Sequence, residues 1–373
     1  MNNQEIERLL AVSEPNCISV IIPTHRLALG KSLDPIVLSK TIAKVKEALS
    51  IKHDSSGILL NKLEQLYTQI RFSNTKDGIG IYVSPSVSKV IHFPFPVKQR
   101  IKIGRNFESK ELLFYKNLPE YLVLSVNHKS ICLFHSNGEE LDEINNEDFP
   151  RTYHEEYEYD HSNRASSYGY SLKAFESDKS VTRETRFIDF LRSADRCIGK
   201  YIGEGLPLLL SGATKEVADF NRITKHKQRI IGSVLGSHGY NKKEIANTSW
   251  KFMQDYTKQQ NEALVNKLRE LIGRKSVVYG LDKVYEAVSA GNGLMLLIEK
   301  EYEYTANKAQ ALRNKIMIEG NNIINDDETN ADLVDKVIRS AMEKKSRIVF
   351  LDNGALSDFN GIALMLRYPD LMN

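Results

Sequence analysis

Basic and aromatic side chains alternate along residues 160–186, a combination that suits contact with RNA. The members of this set are Arg164, Tyr168, Tyr170, Lys173, Lys179, Arg183 and Arg186. Lysine and arginine neutralise phosphates, and tyrosine rings stack on exposed bases. Glu176, Asp178 and Glu184 lie in the same stretch and dilute its positive charge. Two interpretations stay open: an RNA-contacting surface and a solvated loop of mixed charge.

The densest basic run of the sequence is "RITKHKQR", residues 222–229, which contains no acidic residue. It follows a predicted helix and precedes a predicted strand. The run either faces RNA or is a solvated connection between the two elements, and the pattern favours neither interpretation. Its candidate RNA-binding residues are Arg222, Lys225, Lys227 and Arg229.

His25 and Arg26 follow the short apolar run "CISVIIP", which predicts a buried strand. The end of a buried strand is a common place for a binding site in α/β folds, so both residues are candidates for a site in the N-terminal domain. Packing and capping of the loop explain the same two residues more simply, and we favour that interpretation.

The stretch "YHEEYEYDHS" contains potential metal ligands in His154, Glu156, Asp160 and His161. Their spacing matches no known metal motif, and no helical period brings the four side chains together. The sequence also lacks a phosphate-binding loop and a dinucleotide fingerprint. We therefore predict neither a metal site nor a cofactor.

The overall charge excludes a uniformly basic protein, because 51 basic residues face 48 acidic ones and leave a net charge of +3. An RNA site must then be a local patch. The three cysteines, Cys17, Cys132 and Cys197, are typical of reduced thiols. The start "MNNQEIERLL" lacks the apolar core of a signal peptide, and no apolar run is long enough to span a membrane. We predict a cytoplasmic protein without membrane or DNA partners.

The order of apolar patterns predicts three α/β domains. Residues 1–118 contain a strand, two helices and further strands. Residues 119–272 contain three short strands, a long loop over residues 146–180, and a helix that begins at Val181, followed by alternating strands and helices. Residues 273–373 form a smaller α/β/α domain that ends with a buried strand in "SDFNGIALMLRYPD".

Six pieces of the chain, in order, resemble the archaeo-eukaryotic class I peptide-chain release factors and their relative Pelota. These pieces are "CISVIIPTHR", "DGIGIYVS" with "VIHFPFPV", "IGRNFESKELL", "YLVLSVNHKSICLFHSNG", "SVVYGLDKVYEAVSAGNGLMLLI" and "RIVFLDNGALSDFNGIALMLRY". The resemblance covers nearly the whole chain and points to a bacterial lineage. It implies an RNase H-like middle domain and a C-terminal domain with the fold of kink-turn-binding ribosomal proteins.

The chain differs from the family at the motifs that carry the family's functions. Release factors hydrolyse peptidyl-tRNA with a Gly-Gly-Gln tripeptide, but residues 160–179 contain one glycine and no glutamine. The Asn-Ile-Lys-Ser motif of stop-codon recognition is also absent. Where kink-turn binders carry an Asn-Glu pair and a lysine, this chain has Asp282, Lys283 and Glu286, so a protein-facing role fits the third domain better.

The resemblance and its departures predict a non-enzymatic factor that binds the A site of stalled or idle ribosomes, in rescue or hibernation. Its partners would be rRNA or tRNA and a translational GTPase such as elongation factor Tu. The alternative is an enzyme, either a peptidyl-tRNA hydrolase or an RNase that uses non-standard residues. A binding module with no ribosomal role is a third possibility.

Overall fold

The computed structural model describes residues 3–50, 56–153, 170–203, 205–235, 241–302 and 330–369. Within these ranges the chain is a mixed α/β protein with three sheets, which confirms the predicted fold class. Residues 1–117 and 260–373 form one compact unit, and residues 118–259 form a second. The three-domain boundaries and the RNase H-like and kink-turn-binding fold types stay predictions.

The N-terminal sheet is antiparallel, with strand order β3-β2-β1-β4. Every second residue of β1 faces α3 and α4, whose apolar residues recur at helical spacing, so Ile18 and Val20 pack with Leu38, Val45 and the α4 leucines. The elements are α1 (Asn3–Ala11), β1 (Cys17–Pro23), α2 (Ala28–Lys31), α3 (Asp34–Ser50), α4 (Ser56–Gln69), β2 (Gly78–Val83), β3 (Ser88–Phe93), β4 (Arg100–Gly104) and α5 (Lys110–Lys116).

The middle sheet has strand order β10-β9-β5-β6-β7, and β8 pairs with β6. Strands β5, β9 and β10 are parallel, whereas β5, β6 and β7 form an antiparallel meander. The apolar face of α6 packs against β5 and β9 through Leu191, Ala194 and Ile198. The elements are β5 (Glu120–Val126), β6 (Ser130–Asn137), β7 (Glu140–Glu143), β8 (Arg151–Thr152), α6 (Tyr170–Ile202), β9 (Leu208–Gly212), α7 (Thr214–Ile223), β10 (Ile230–Leu235) and α8 (Lys242–Ile272).

Helix α6 begins at Tyr170, so the prediction that residues 170–180 belong to a loop and that the helix starts at Val181 is wrong. Residues 171–180 contain no glycine or proline and include alanine, leucine, lysine and glutamate, which favour helix. They lack an apolar stripe along one face, so hydrophobic periodicity does not predict a helix there.

The C-terminal sheet has strand order β11-β14-β12-β13, with β12 and β13 parallel and the other pairs antiparallel. Strand β14 is buried at every position, as the predicted final strand requires. Residues 277–279 form a strand, and Gly280, at φ 82°, separates this strand from the helix that begins at Leu281. The elements are β11 (Val277–Tyr279), α9 (Leu281–Ser289), β12 (Gly293–Glu299), α10 (Asn330–Glu343), β13 (Arg347–Leu351) and β14 (Ile362–Leu366).

No helix in the described ranges is both long enough and apolar enough to cross a membrane.

A buried ionic cluster joins the N-terminal and C-terminal parts of the first unit. At its centre is the carboxylate of Asp335 on α10, whose side chain is 1% exposed. Its oxygens accept hydrogen bonds from Lys102 Nζ of β4 at 2.5 Å, from the backbone N–H of Ser109 at 2.9 Å and from Arg339 Nε at 3.2 Å. A carboxylate out of water needs such compensation, so the cluster fixes α10 against residues 102–109.

Glu108 lies beside Asp335, and its pKa is shifted in the opposite direction. It accepts a hydrogen bond from Arg100 Nη1 at 2.9 Å, and Lys102 Nζ is 3.7 Å away. Burial, followed by the charge of Asp335, raises the pKa of Glu108 from 4.5 to about 8. Burial acts in the same direction on Asp335, but the charges of Lys102 and Arg339 outweigh it and lower the pKa of Asp335 to about 2. Glu108 is therefore the member of the cluster that holds a proton near neutral pH.

We expect Glu108→Gln to flatten the pH dependence of stability between pH 4.5 and 8. As pH rises through this window, the unfolded chain releases the Glu108 proton while the folded chain retains it, so the free energy of unfolding falls. Glutamine cannot titrate, and the variant should be more stable than the parent by about 1–3 kcal/mol near pH 8. Urea unfolding measured across this pH range tests the prediction. An equal slope in both proteins would contradict it.

Candidate nucleic-acid interface

The predicted RNA-binding residues before and along α6 are described only in part. Arg164 and Tyr168 lie outside the described residues. Tyr170, Lys173 and Lys179 lie in α6, and the structure describes only their backbone. Arg183 and Arg186 are exposed on the same helix. The prediction that this set contacts RNA therefore stays a prediction.

The basic run is the part of the predicted site whose geometry is described. Helix α7 ends at Ile223, a 3-10 turn covers Lys227–Arg229, and β10 begins at the next residue. Lys225, Lys227 and Arg229 are exposed. Arg222 Nη2 forms an ion pair at 3.2 Å with Asp219 one helical turn earlier, and its contact with RNA stays a prediction. Lys225, Lys227 and Arg229 thus follow one another on the short connection between α7 and β10.

A buried acid on α6, Asp195, holds this connection in place. Asp195 is 4% exposed, and its Oδ1 accepts a hydrogen bond from Thr224 Oγ1 at 2.5 Å. Its Oδ2 accepts one from the backbone N–H of Lys225 at 3.2 Å. Thr224 Oγ1 in turn accepts from the backbone N–H of His226 at 3.0 Å. The Asp195 carboxylate therefore holds Thr224 and Lys225 directly, and it holds His226 through Thr224.

A groove of about 290 Å³ lies between the connection and the end of α6. Two glycines at the end of the helix leave one wall without bulky side chains, and three of the lining residues can carry positive charge. The lining residues are Gly199, Ile202, Gly203, Lys225, His226, Gln228 and Arg229. A concave surface of this composition suits a phosphate group. Cations at this position also complement the negative C-terminal end of α6.

His25 and Arg26 both have partners within their own part of the chain. His25 Nδ1 lies 2.7 Å from Oδ1 of the buried Asp34, and the backbone N–H of His25 donates to Oδ2 of the same carboxylate at 3.0 Å. Arg26 makes a bidentate contact with Asp77, with Nε and Nη2 at 2.7 and 2.6 Å from its oxygens. These contacts are the ones that loop packing requires, and a ligand role for the two residues stays a prediction.

Within the described ranges, no group of three or more histidine, cysteine, aspartate or glutamate residues is arranged to hold a metal ion. The stretch with His154, Glu156, Asp160 and His161 lies outside those ranges. His128 Nε2 and Glu216 Oε1 form a pair at 2.7 Å that joins the β5–β6 turn to the first turn of α7. The ring of His128 also contacts the ring of Phe187, with 4.9 Å between centroids.

Sequence reasoning missed two residues of this site, Asp195 and His226. Asp195 has a detectable signal, because it falls on the same helical face as Leu191, Ile198 and Ile202. An acid on an otherwise apolar face must have buried hydrogen-bond partners. His226 lies inside the basic run, but only the lysines and arginines of that run are counted as candidates.

The fold and this site define a mixed α/β protein with three sheets and a basic groove between the end of α6 and the connection from α7 to β10. Residues 120–292 match the model of the family described as bacterial archaeo-eukaryotic release factor family 3. The match confirms the predicted resemblance to the archaeo-eukaryotic release factors over this segment. No curated protein matches the sequence.

Several solved structures are similar along most of their length. The archaeal translation termination factor aRF1 is 13% identical with a TM-score of 0.25, and the match covers 99% of each chain. Pelota of Archaeoglobus fulgidus is 13% identical with a TM-score of 0.37, over 100% of this chain and 94% of that one. Dom34 of S. cerevisiae, a translation termination-like factor that interacts with Hbs1, is 13% identical with a TM-score of 0.39, over 79% and 80%. Because these TM-scores are low, the resemblance to release factors rests on the family match alone.

Proposed function

We propose that the protein binds the A site of stalled or idle ribosomes and acts there in rescue or hibernation without hydrolysing the peptidyl-tRNA ester. The family match over residues 120–292 supports a role in translation. The observation that carries the proposal is the composition of residues 160–179, which contain one glycine and no glutamine. Glycines let a backbone approach the ester closely, and glutamine places the attacking water, so the family's hydrolytic chemistry lacks its groups here.

The basic groove would hold phosphates of rRNA or tRNA. Asp195 keeps the connection fixed before RNA arrives, so its backbone needs little further ordering on binding. The stretch before α6, with Arg164 and Tyr168, would extend toward the peptidyl-transferase centre. In the C-terminal domain, the face of α9 with Asp282, Lys283 and Glu286 would contact a protein, and a translational GTPase such as elongation factor Tu is the partner we favour.

Co-sedimentation with ribosomes tests the proposed function directly. We expect the protein in the ribosomal fraction of starved cells, or of cells treated to stall translation. Its presence only in the soluble fraction, in growing and starved cells alike, would overturn the proposal. Release of peptide from loaded ribosomes, reduced by Arg164→Ala or Lys173→Ala, would establish the hydrolase alternative instead.

We expect the double variant Lys225→Glu/Lys227→Glu to bind ribosomes or a structured rRNA fragment at least about tenfold more weakly than the parent. Each phosphate contact contributes roughly one unit to the slope of log K against log salt concentration, so the slope should fall by about two. Binding measured by filter retention at several salt concentrations gives both quantities.

The matched control is Lys251→Glu/Lys258→Glu, which makes the same change in net charge on exposed positions of α8. This variant should keep most of the affinity and the full salt slope. Equal losses in both double variants would mean that only the net charge of the protein matters and that the groove is not an RNA site.

A further inference from the structure

A second groove, of about 420 Å³, lies between the C-terminal part of α4 and strand β3. Leu66, Ile70 and Val90 line it and are only partly covered by the N-terminal core, so apolar surface is open to the groove. Its volume is within the range of sites that hold ligands or side chains of a partner. This groove belongs to the first unit and plays no part in the function proposed above.

Strand β3 is the outer strand of its sheet in the described part of the chain, where its ladder partner is β2. The outer side of an edge strand presents backbone N–H and C=O groups that can pair with an additional strand. The apolar residues of the groove lie directly beside this edge. A segment that pairs with β3 could therefore place alternate side chains into the groove.

The polar lining of the groove is basic, and none of the residues that line it is acidic. Arg71 is exposed, and no carboxylate of the described residues forms an ion pair with it. Lys89 is 42% exposed and is paired with Glu5 of α1 at 2.9 Å. Burial, with a smaller contribution from the charge of Lys76, lowers the pKa of His92, so its ring is uncharged near neutral pH. The charge at the groove is thus positive and centred on Arg71.

The lining distinguishes between a protein segment and RNA as the occupant. A site for single-stranded RNA stacks bases on phenylalanine, tyrosine or tryptophan rings, and none of these lines the groove. Aliphatic lining instead suits an aliphatic side chain, and a free strand edge suits an extended backbone. The cationic lining favours an acidic residue beside that side chain.

We propose that this groove docks an extended, acidic segment of a partner protein, which adds to the edge of β3. The segment places an aliphatic side chain against Leu66, Ile70 and Val90 and a carboxylate beside Arg71. The proposal extends beyond ribosome binding, because it concerns a surface of the N-terminal sheet and a class of protein ligand.

The test uses the full chain and synthetic peptides of about seven residues, the usual length of a strand. The first peptide alternates valine and glutamate, the second replaces glutamate with lysine, and the third has proline at its centre. Titration calorimetry should show binding of the valine-glutamate peptide only. The lysine peptide fails because of charge, and the proline peptide fails because proline cannot complete the ladder.

The decisive variant is Arg71→Glu, with Lys40→Glu on the exposed face of α3 as the control that makes the same charge change outside the groove. Arg71→Glu should weaken binding of the valine-glutamate peptide about tenfold and permit binding of the lysine peptide, whereas Lys40→Glu should change neither. The proposal is overturned if no peptide binds, if both variants behave alike, or if a uridine oligonucleotide binds and loses its affinity in Arg71→Glu, which would make the groove an RNA site.

Discussion

Replacement of Asp335 by alanine is expected to lower the free energy of unfolding by about 3–5 kcal/mol. The carboxylate is 1% exposed and accepts hydrogen bonds from Lys102, Ser109 and Arg339. Without it, Arg339 loses its carboxylate partner, and Lys102 keeps only Glu108, whose oxygen is 3.7 Å away. The loss arises from these poorly compensated charges rather than from the strength of the original ion pairs.

Urea unfolding of Asp335→Ala at neutral pH measures this loss, and two further variants test its cause. Asp352→Ala removes a carboxylate that is 57% exposed and paired with Lys300 at 2.6 Å, and should cost no more than about 1 kcal/mol. Addition of Lys102→Met to Asp335→Ala removes one of the two poorly compensated cations and should recover part of the stability. Equal stability of the single and double variants would show that charge is not the cause.

Replacement of Asp195 by alanine is expected to weaken RNA binding about tenfold, although the change makes the protein more basic. A purely electrostatic account predicts tighter binding, because one negative charge is lost. Our account predicts weaker binding, because Thr224 Oγ1 and the Lys225 N–H lose their acceptor and the connection between α7 and β10 becomes free to move. The opposite signs make the measurement decisive.

The control for this variant is Asp219→Ala, which removes an acid of the same unit that pairs with Arg222 and makes no hydrogen bond to the connection. It should bind RNA as tightly as the parent or more tightly. Asp195→Asn keeps an acceptor for Thr224, and its affinity for RNA should fall between those of the parent and Asp195→Ala.

Circular dichroism must confirm that each variant is folded, since loss of two hydrogen bonds from a buried carboxylate also costs about 1–3 kcal/mol of stability. Unchanged or tighter binding in a folded Asp195→Ala protein contradicts our account.

The sequence predicted most elements whose apolar residues show a clear period, and it failed where the period was hidden. Strand β1, helix α3 and strand β14 follow directly from patterns of buried residues. Strand β4 was not predicted, because Arg100 and Lys102 alternate with its two isoleucines and give it the composition of an exposed linker. Those cations contact Glu108 and Asp335, and Asp335 lies more than two hundred residues away in the chain. A local sequence pattern cannot predict the pairing of Lys102 with Asp335.

The candidate site was predictable to a similar extent. The basic run of residues 222–229 stands out in the sequence because cations cluster there without acids. Its support from Asp195 depends on the packing of α6 beside α7, and the groove depends on where the glycines at the end of α6 come to lie. These relations follow from tertiary contacts, which local sequence patterns do not encode.

The strand order of the C-terminal sheet sets the time at which this part of the chain can fold during synthesis. Strand β14 is the last of the four strands in sequence but lies between β11 and β12 in the sheet. Until it has been translated, β11 has no neighbour, and one side of β12 stays open to other chains. At bacterial elongation rates the interval between β11 and β14 lasts on the order of ten seconds. This part of the nascent chain is thus most exposed to mispairing after β12 has been translated and before β14 has, when molecular chaperones would have most to protect.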